Sequence, residues 1–386
     1  MNFSHPLWLV GFRPFFTLAM LAGIVLPLLW AVVFSGVMAP APAPFSLFQW
    51  HAHEMFFGFG WAVMGGFLLT ASKNWVNVRG YHGWPLAALA LAWGVERLVL
   101  WFAGSLPDRA LYLGSQLFLL GIVLMLLWTL LRYRHQDGYP ISNLFFLVML
   151  PAFLVAKWLL LFGAEPAAGY GMTLGLFRLA FLVMLERTLT QFMQGVFQVS
   201  ILRNPLLDGA IKVLGLLCVF AYWLPPVAGA ALTLTLAALL LIRFCFWHPH
   251  QAMRRLDLCI MFLGYLALCA QLLLEGWGRL YGPAGVGSLS THTFTFGVMG
   301  LIIPAMLIRI CNGHTGRKVV FDARDKAVLW LMIAAAVARL VLTQAWPLLY
   351  PRWIEVSALL WAAAFALLAW RYIPYLWQPR VDGKLH

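Results

Sequence analysis

Trp50-His51-Ala52-His53-Glu54 opens an otherwise apolar stretch that runs on to Thr70. Two imidazoles and a carboxylate about one turn into such a stretch are costly to desolvate unless something compensates them. Imidazole is the commonest metal ligand and a common axial ligand of haem, so a bound cofactor is the natural compensation. On an α-helix His51 and His53 point roughly 200° apart, so one helix can serve two centres. Glu54, three residues after His51, shares its face. That geometry points to His53 for one centre and to His51 with Glu54 for another. The competing reading is that these imidazoles only hydrogen-bond between helices.

A second stretch repeats part of this pattern. His53-Glu54-Met55-Phe56-Phe57-Gly58 and His292-Thr293-Phe294-Thr295-Phe296-Gly297 share His-x-x-x-Phe-Gly. Each copy begins near the same end of its apolar stretch, so His292 could complete bis-histidine ligation with His53. Of the ten histidines, His5, His82, His135, His248, His250, His314 and His386 fall at the opposite ends and in loops, where solvated interfacial roles suffice. His314, set in Gly313-His314-Thr315-Gly316-Arg317, is a partial exception and a further candidate ligand. Arg97, Lys157, Arg178 and Arg339 lie inside apolar stretches. Guanidinium groups suit the two carboxylates of a haem, and pairing with Glu96, Glu186 or Glu275 is the alternative. Arg187, Gln191, Gln194 and Gln198 form a polar stripe at helical spacing, suited to a hydrated path or to hydrogen bonds between helices. Glu96, Glu186 and Glu275 are candidate proton carriers.

The elements that must hold these residues follow from composition. The chain has 386 residues, is 63% hydrophobic and only 10% charged, with a mean hydropathy of +0.86. No soluble domain of this length needs so apolar a surface, so an all-α polytopic integral membrane protein is expected. Twelve stretches are long enough to cross a bilayer: 12–37, 46–71, 85–105, 109–131, 141–163, 171–199, 206–223, 227–246, 257–279, 288–311, 326–347 and 353–374. The first is too long for a cleaved leader. Residues 1–386 thus read as a single transmembrane domain with almost nothing left for a soluble one. Eighteen Lys and Arg fall on one set of connections and three on the other, an alternation that puts both termini on the cytoplasmic side. The net charge of +13 follows from that bias, and no basic face interleaved with aromatics argues for nucleic acid. Ala39 to Pro44 reads as an outer loop. Trp50, Trp75, Trp84, Trp101, Trp346 and Trp377 sit near span ends, as an interfacial belt requires. The five cysteines lack Cys-x-x-Cys spacing and read as packing residues.

Several of these segments together resemble the NnrS family. They are Phe12-Arg13-Pro14-Phe15-Phe16; Trp50 to Met55 with Phe57-Gly58-Phe59; Gly66-Phe67-Leu68-Leu69-Thr70; Asn74-Trp75; His292, Phe296-Gly297 and Met299-Gly300; and Gly313 to Arg317. The resemblance covers the whole length. It implies a multi-pass protein of the bacterial inner membrane that contains haem and copper and is linked to denitrification and nitric oxide resistance. One departure stands in the sixth span, where a Gly-Arg-x-x-Pro run is expected and Glu186-Arg187-Thr188-Leu189-Thr190 is found.

Combined with the residue reading, the expectation is a b-type haem held by His53 and His292, with Arg97, Arg178 and Arg339 neutralising it. A copper ion would sit by His51 and Glu54, nitric oxide would be ligand or substrate, and Glu54 would be the catalytic carboxylate. No cytochrome c motif is present, so electrons for a nitric oxide reductase-type reaction would come from quinol or a donor protein. Two alternatives remain. A twelve-helix proton-coupled transporter would use Glu54, Glu96, Arg97 and Glu186. A divergent haem-copper oxidase-like subunit would share histidines in the second and tenth helices, but the adjacent His-His pair and a sixth-helix histidine are missing.

Overall fold

The computed structural model describes residues 4–38 and 44–384. Residues 39–43 of the expected outer loop, and His386, lie outside them. Among the described residues every regular element is helical, as membrane burial demands: helices satisfy their own backbone polar groups where no water can. The long helices are α1 (Phe12–Phe34), α2 (Leu47–Trp75), α3 (Trp84–Trp101), α4 (Asp108–Arg132), α5 (Pro140–Phe162), α6 (Pro166–Phe197), α7 (Pro205–Val219), α8 (Pro226–Cys245), α9 (Leu256–Tyr281), α10 (Leu289–His314), α11 (Ala323–Ala345) and α12 (Pro347–Trp377). Eleven are long and apolar enough to cross a membrane.

The exception is α7, where a full span was expected over 206–223. Its 15 residues rise about 22 Å, short of the ~30 Å hydrocarbon thickness. Asn204 caps its start by accepting the Leu206 and Leu207 N–H groups. A one-turn 3₁₀ segment, Ala221–Trp223, and the Pro225-Pro226 pair end the run, since proline cannot continue a helix. Apolar composition alone did not reveal that stop. The opposite happens in α6, whose 32 residues rise about 48 Å. Some 20 residues suffice to cross, so the stripe at Arg187, Gln191, Gln194 and Gln198 overshoots the apolar layer. Gln191, Gln194 and Gln198 are exposed, in place of the membrane path or interhelical bonds expected of them.

The chain groups into two compact units, residues 1–170, 307–320 and 365–386 in the first and 171–306 and 321–364 in the second. Within the first, α1 packs on α2 at glycine: a Cβ on Gly66 would meet the Phe15 side chain at 2.8 Å, the small-residue contact typical of membrane helices. Within the second, Gly264 faces Ile302 and Gly297 faces Ala267 in the same manner. Cys218, Cys269 and Cys311 are buried packing residues, and all five thiols are free. Trp50 is not an interfacial anchor; it is buried, edge-on to Trp101 at 5.5 Å.

Among the described residues three segments widen into π-helical winding. Glu54–Gly60 in α2, Thr293–Met299 in α10 and Ala338–Leu342 in α11 are π-helical. Such wide turns are rare and concentrate at functional sites. His53 and His292 each cap a seven-residue one, and Arg339 lies inside the third.

Candidate functional site

In the first unit the π turn after His53 gathers a buried charge cluster. His53 is fully buried and Glu54 nearly so. His53 Nδ1 lies 3.2 Å from Glu54 Oε1, the shorter of its two carboxylate approaches, and in the tautomer that donates to Glu54 the ring proton is on Nδ1. Nε2 then carries the lone pair. It is buried without a hydrogen-bond partner among the described residues; Glu96 Oε1 is 3.4 Å away but is an acceptor itself. Glu54 Oε2 also meets Arg97 Nε at 2.7 Å. Glu96 Oε1 accepts from Arg97 Nη2 at 2.7 Å and from Lys157 Nζ at 2.6 Å. Two carboxylates thus face two cations, and the cluster is neutral with His53 uncharged.

The local sequence explains why these groups fit. Gly58, in the π turn, has no side chain to block Arg97; a Cβ there would stand 3.1 Å from Arg97 Nη1 and 3.2 Å from Glu54 Oε2. The Gly58 carbonyl accepts the Trp93 indole N–H at 2.9 Å. Phe57 lies against the His53 ring at 5.3 Å, and Lys157 Nζ sits 5.6 Å above the Phe57 ring. Lys157 and Glu96 complete the cluster from α5 and α3, and a lone lysine in an apolar span was the signal for it.

His51 takes another course. Its half-buried ring lies flat on Trp30, 4.0 Å between centroids and 14° between planes, while the Glu54 oxygens serve His53 and Arg97. His51 and Glu54, though three residues apart, thus take different partners. His314 lies at the far end of the first unit. Its ring lies against Phe12, 5.4 Å away, at the Lys73 end of α2, some 20 residues or about 30 Å along the helix from His53.

In the second unit His292 is half-buried. Its Nδ1–H donates to the Ser288 carbonyl at 2.8 Å, which again leaves Nε2 as the acceptor. Arg339 Nη2 approaches that nitrogen at 3.2 Å and the Tyr350 hydroxyl at 3.0 Å. No carboxylate pairs with Arg339 among the described residues. Ser288, in a connection, and Tyr350, in the first turns of α12, gave no signal in the sequence. Arg178 differs: its Nη1 donates to Glu275 Oε2 at 2.7 Å and to Gln271 Oε1 at 3.0 Å. Of the three arginines expected to neutralise a haem, Arg97 and Arg178 have protein carboxylates, and Arg339 alone lacks one. Glu186 is likewise engaged, by Arg203 and Lys212. Thus the expected proton carriers Glu96, Glu186 and Glu275 are all in ion pairs.

An axial haem ligand requires one imidazole nitrogen, and the partnerless Nε2 of His53 fits that requirement. Copper asks for more donors. Among the described residues no group of three or more His, Cys, Asp or Glu side chains is arranged for a metal ion, so the described residues do not form a closed copper site. Comparison with known proteins adds one finding: residues 6–380 match the family model described as NnrS protein. No curated protein matches.

Proposed function

This chain belongs to the NnrS family, and we propose that it is a haem-binding membrane protein that takes nitric oxide as ligand or substrate. The observation that carries the reading is the buried His53 Nε2 without a hydrogen-bond partner, on a ring whose other nitrogen is held by Glu54. A ligand histidine commonly donates its other ring N–H to a carboxylate, which fixes tautomer and ring angle and raises basicity. Glu54 therefore acts through His53, and Arg97 holds the other carboxylate oxygen of Glu54 at 2.7 Å. Haem, when bound, would supply the iron that takes up nitric oxide. His292 is the proposed imidazole of the second unit, and Arg339, paired with no carboxylate among the described residues, is the guanidinium suited to an anionic group of the cofactor. Copper is proposed only as the metal associated with His51.

Electrons for any reduction would come from quinol or a donor protein, and the proposed location is the bacterial inner membrane. The test is the Soret band with iron and copper content of wild type beside His53→Ala, His292→Ala and His51→Ala. The expected result is loss of haem in the first two and a change confined to copper in the third. Wild-type protein with no Soret band and no iron would end the haem reading. Nitrous oxide formation from nitric oxide with an added quinol then separates turnover from binding.

A further inference from the structure

A cavity of the first unit lies far from His53, where three spans stop. α2 ends at Trp75, α3 starts at Trp84 and α4 ends at Arg132, and the loop 76–83 passes between them. A cavity of about 510 Å³ opens there, lined among others by Lys73, Arg79, His82, Trp84 and Trp128. The loop is a defined piece of structure. Asn77 and Gly83 turn it at φ 49° and 70°, and its ends are tied by Val78 N–H to the Lys73 carbonyl at 2.9 Å and by Gly83 N–H to the Trp8 carbonyl at 2.7 Å. Gly80 leaves room for the Lys73 stem, since a Cβ would stand 2.9 Å from Lys73 Cδ.

Two features of this cavity call for an occupant. Its cations are uncompensated: neither Lys73 nor Arg79 pairs with a carboxylate among the described residues, and the charges acting on Lys73 are the like-signed Arg79 and Arg380. His82 Nδ1–H donates to the Gly80 carbonyl, so Nε2 adds no negative charge. Its other wall is apolar and outward-facing: Trp84 and Trp128 are 68% and 64% exposed, one in the first turn of α3 and the other in the last turns of α4, where aromatic rings meet acyl chains. A free anion has no need of the tryptophan wall, and a neutral lipid has no need of two unpaired cations.

We propose that this cavity binds the phosphodiester headgroup of an anionic phospholipid, with Lys73 and Arg79 on the phosphate and the acyl chains along Trp84 and Trp128. The site is independent of the haem reading. It is tested with the full chain in nanodiscs of phosphatidylcholine containing increasing phosphatidylglycerol, retained lipid being counted by native mass spectrometry. Wild type should keep phosphatidylglycerol in preference to phosphatidylcholine. Lys73→Gln/Arg79→Gln should lose that preference by about fivefold per cation, while the exposed pair Arg254→Gln/Lys318→Gln should leave it unchanged. An equal fall in both double variants means diffuse surface charge and overturns the site. Thermal stabilisation by inorganic phosphate equal to that by phosphatidylglycerol overturns the lipid assignment. Arg79→Gln alone, in an exposed loop position, repeats the test if the double variant does not fold, and an unchanged preference there refutes the proposal.

Discussion

The junctions at His53 and His292 start from one pattern, His-x-x-x-Phe-Gly, and both open into a seven-residue π turn. Each fixes Nδ1 with an acceptor and turns Nε2 outward from it. From there they diverge. Around His53 the acceptor is a carboxylate, the ring is fully buried, and two acids meet two bases within one unit. Around His292 the acceptor is a backbone carbonyl, the ring is half-buried, and a lone guanidinium covers Nε2. A charge-balanced pocket can hold an imidazole ready in an apolar layer without a ligand. An arginine without a counter-ion is a reserved place for negative charge. The same local motif thus does two jobs, and the neighbours decide which.

That contrast can be broken most sharply by removing one cation from each side. Lys157→Met leaves Glu54 and Glu96 to share Arg97 as their one cation and should lower stability by about 3–5 kcal/mol, read as the thermal midpoint in detergent. Arg339→Met strands no carboxylate and should leave the midpoint unchanged or raise it. Equal losses would mean that Arg339 has a hidden acidic partner. Next come the matched glycines. Gly297→Ala forces a Cβ to 2.6 Å from Ala267 Cβ, an overpacking of about 1–3 kcal/mol. Gly58→Ala meets only the movable Arg97 and Glu54 side chains, so its mark should be a shifted haem spectrum with a smaller loss of stability. Glu54→Gln keeps an acceptor near His53 Nδ1 but removes the charge, and should weaken haem retention roughly 10–100-fold without unfolding the protein; undiminished retention would detach Glu54 from the ligand. The smallest effect is expected from Tyr350→Phe, which removes one of the hydroxyls around Arg339 and should alter only the spectrum tied to His292.

Much of this architecture was legible in the sequence because desolvation leaves a strong mark. Hydropathy located eleven spans, and charged residues stranded inside them marked Arg97, Lys157, Arg178 and Arg339 in advance. Their partners were harder to read. Lys157 meets Glu96 across 61 positions of chain, and Arg178 meets Gln271 across 93, distances that no periodicity encodes. The α7 helix misled because apolarity continues past Val219 while the helix does not. The wheel that joined His51 to Glu54 did not reveal their separate partners, Trp30 and Arg97, or that the winding widens from Glu54 onward. Only the repeated Phe-Gly after each histidine hinted at that change.

The central claim is that His53 Nε2 is a ligand nitrogen presented by its own unit. Its most direct test is His53→Gly, purified and titrated with free imidazole while the Soret band is recorded. The account predicts that the band is lost and returns on adding imidazole, which replaces the missing ring. A His53→Gly protein whose spectrum already matches wild type would contradict it.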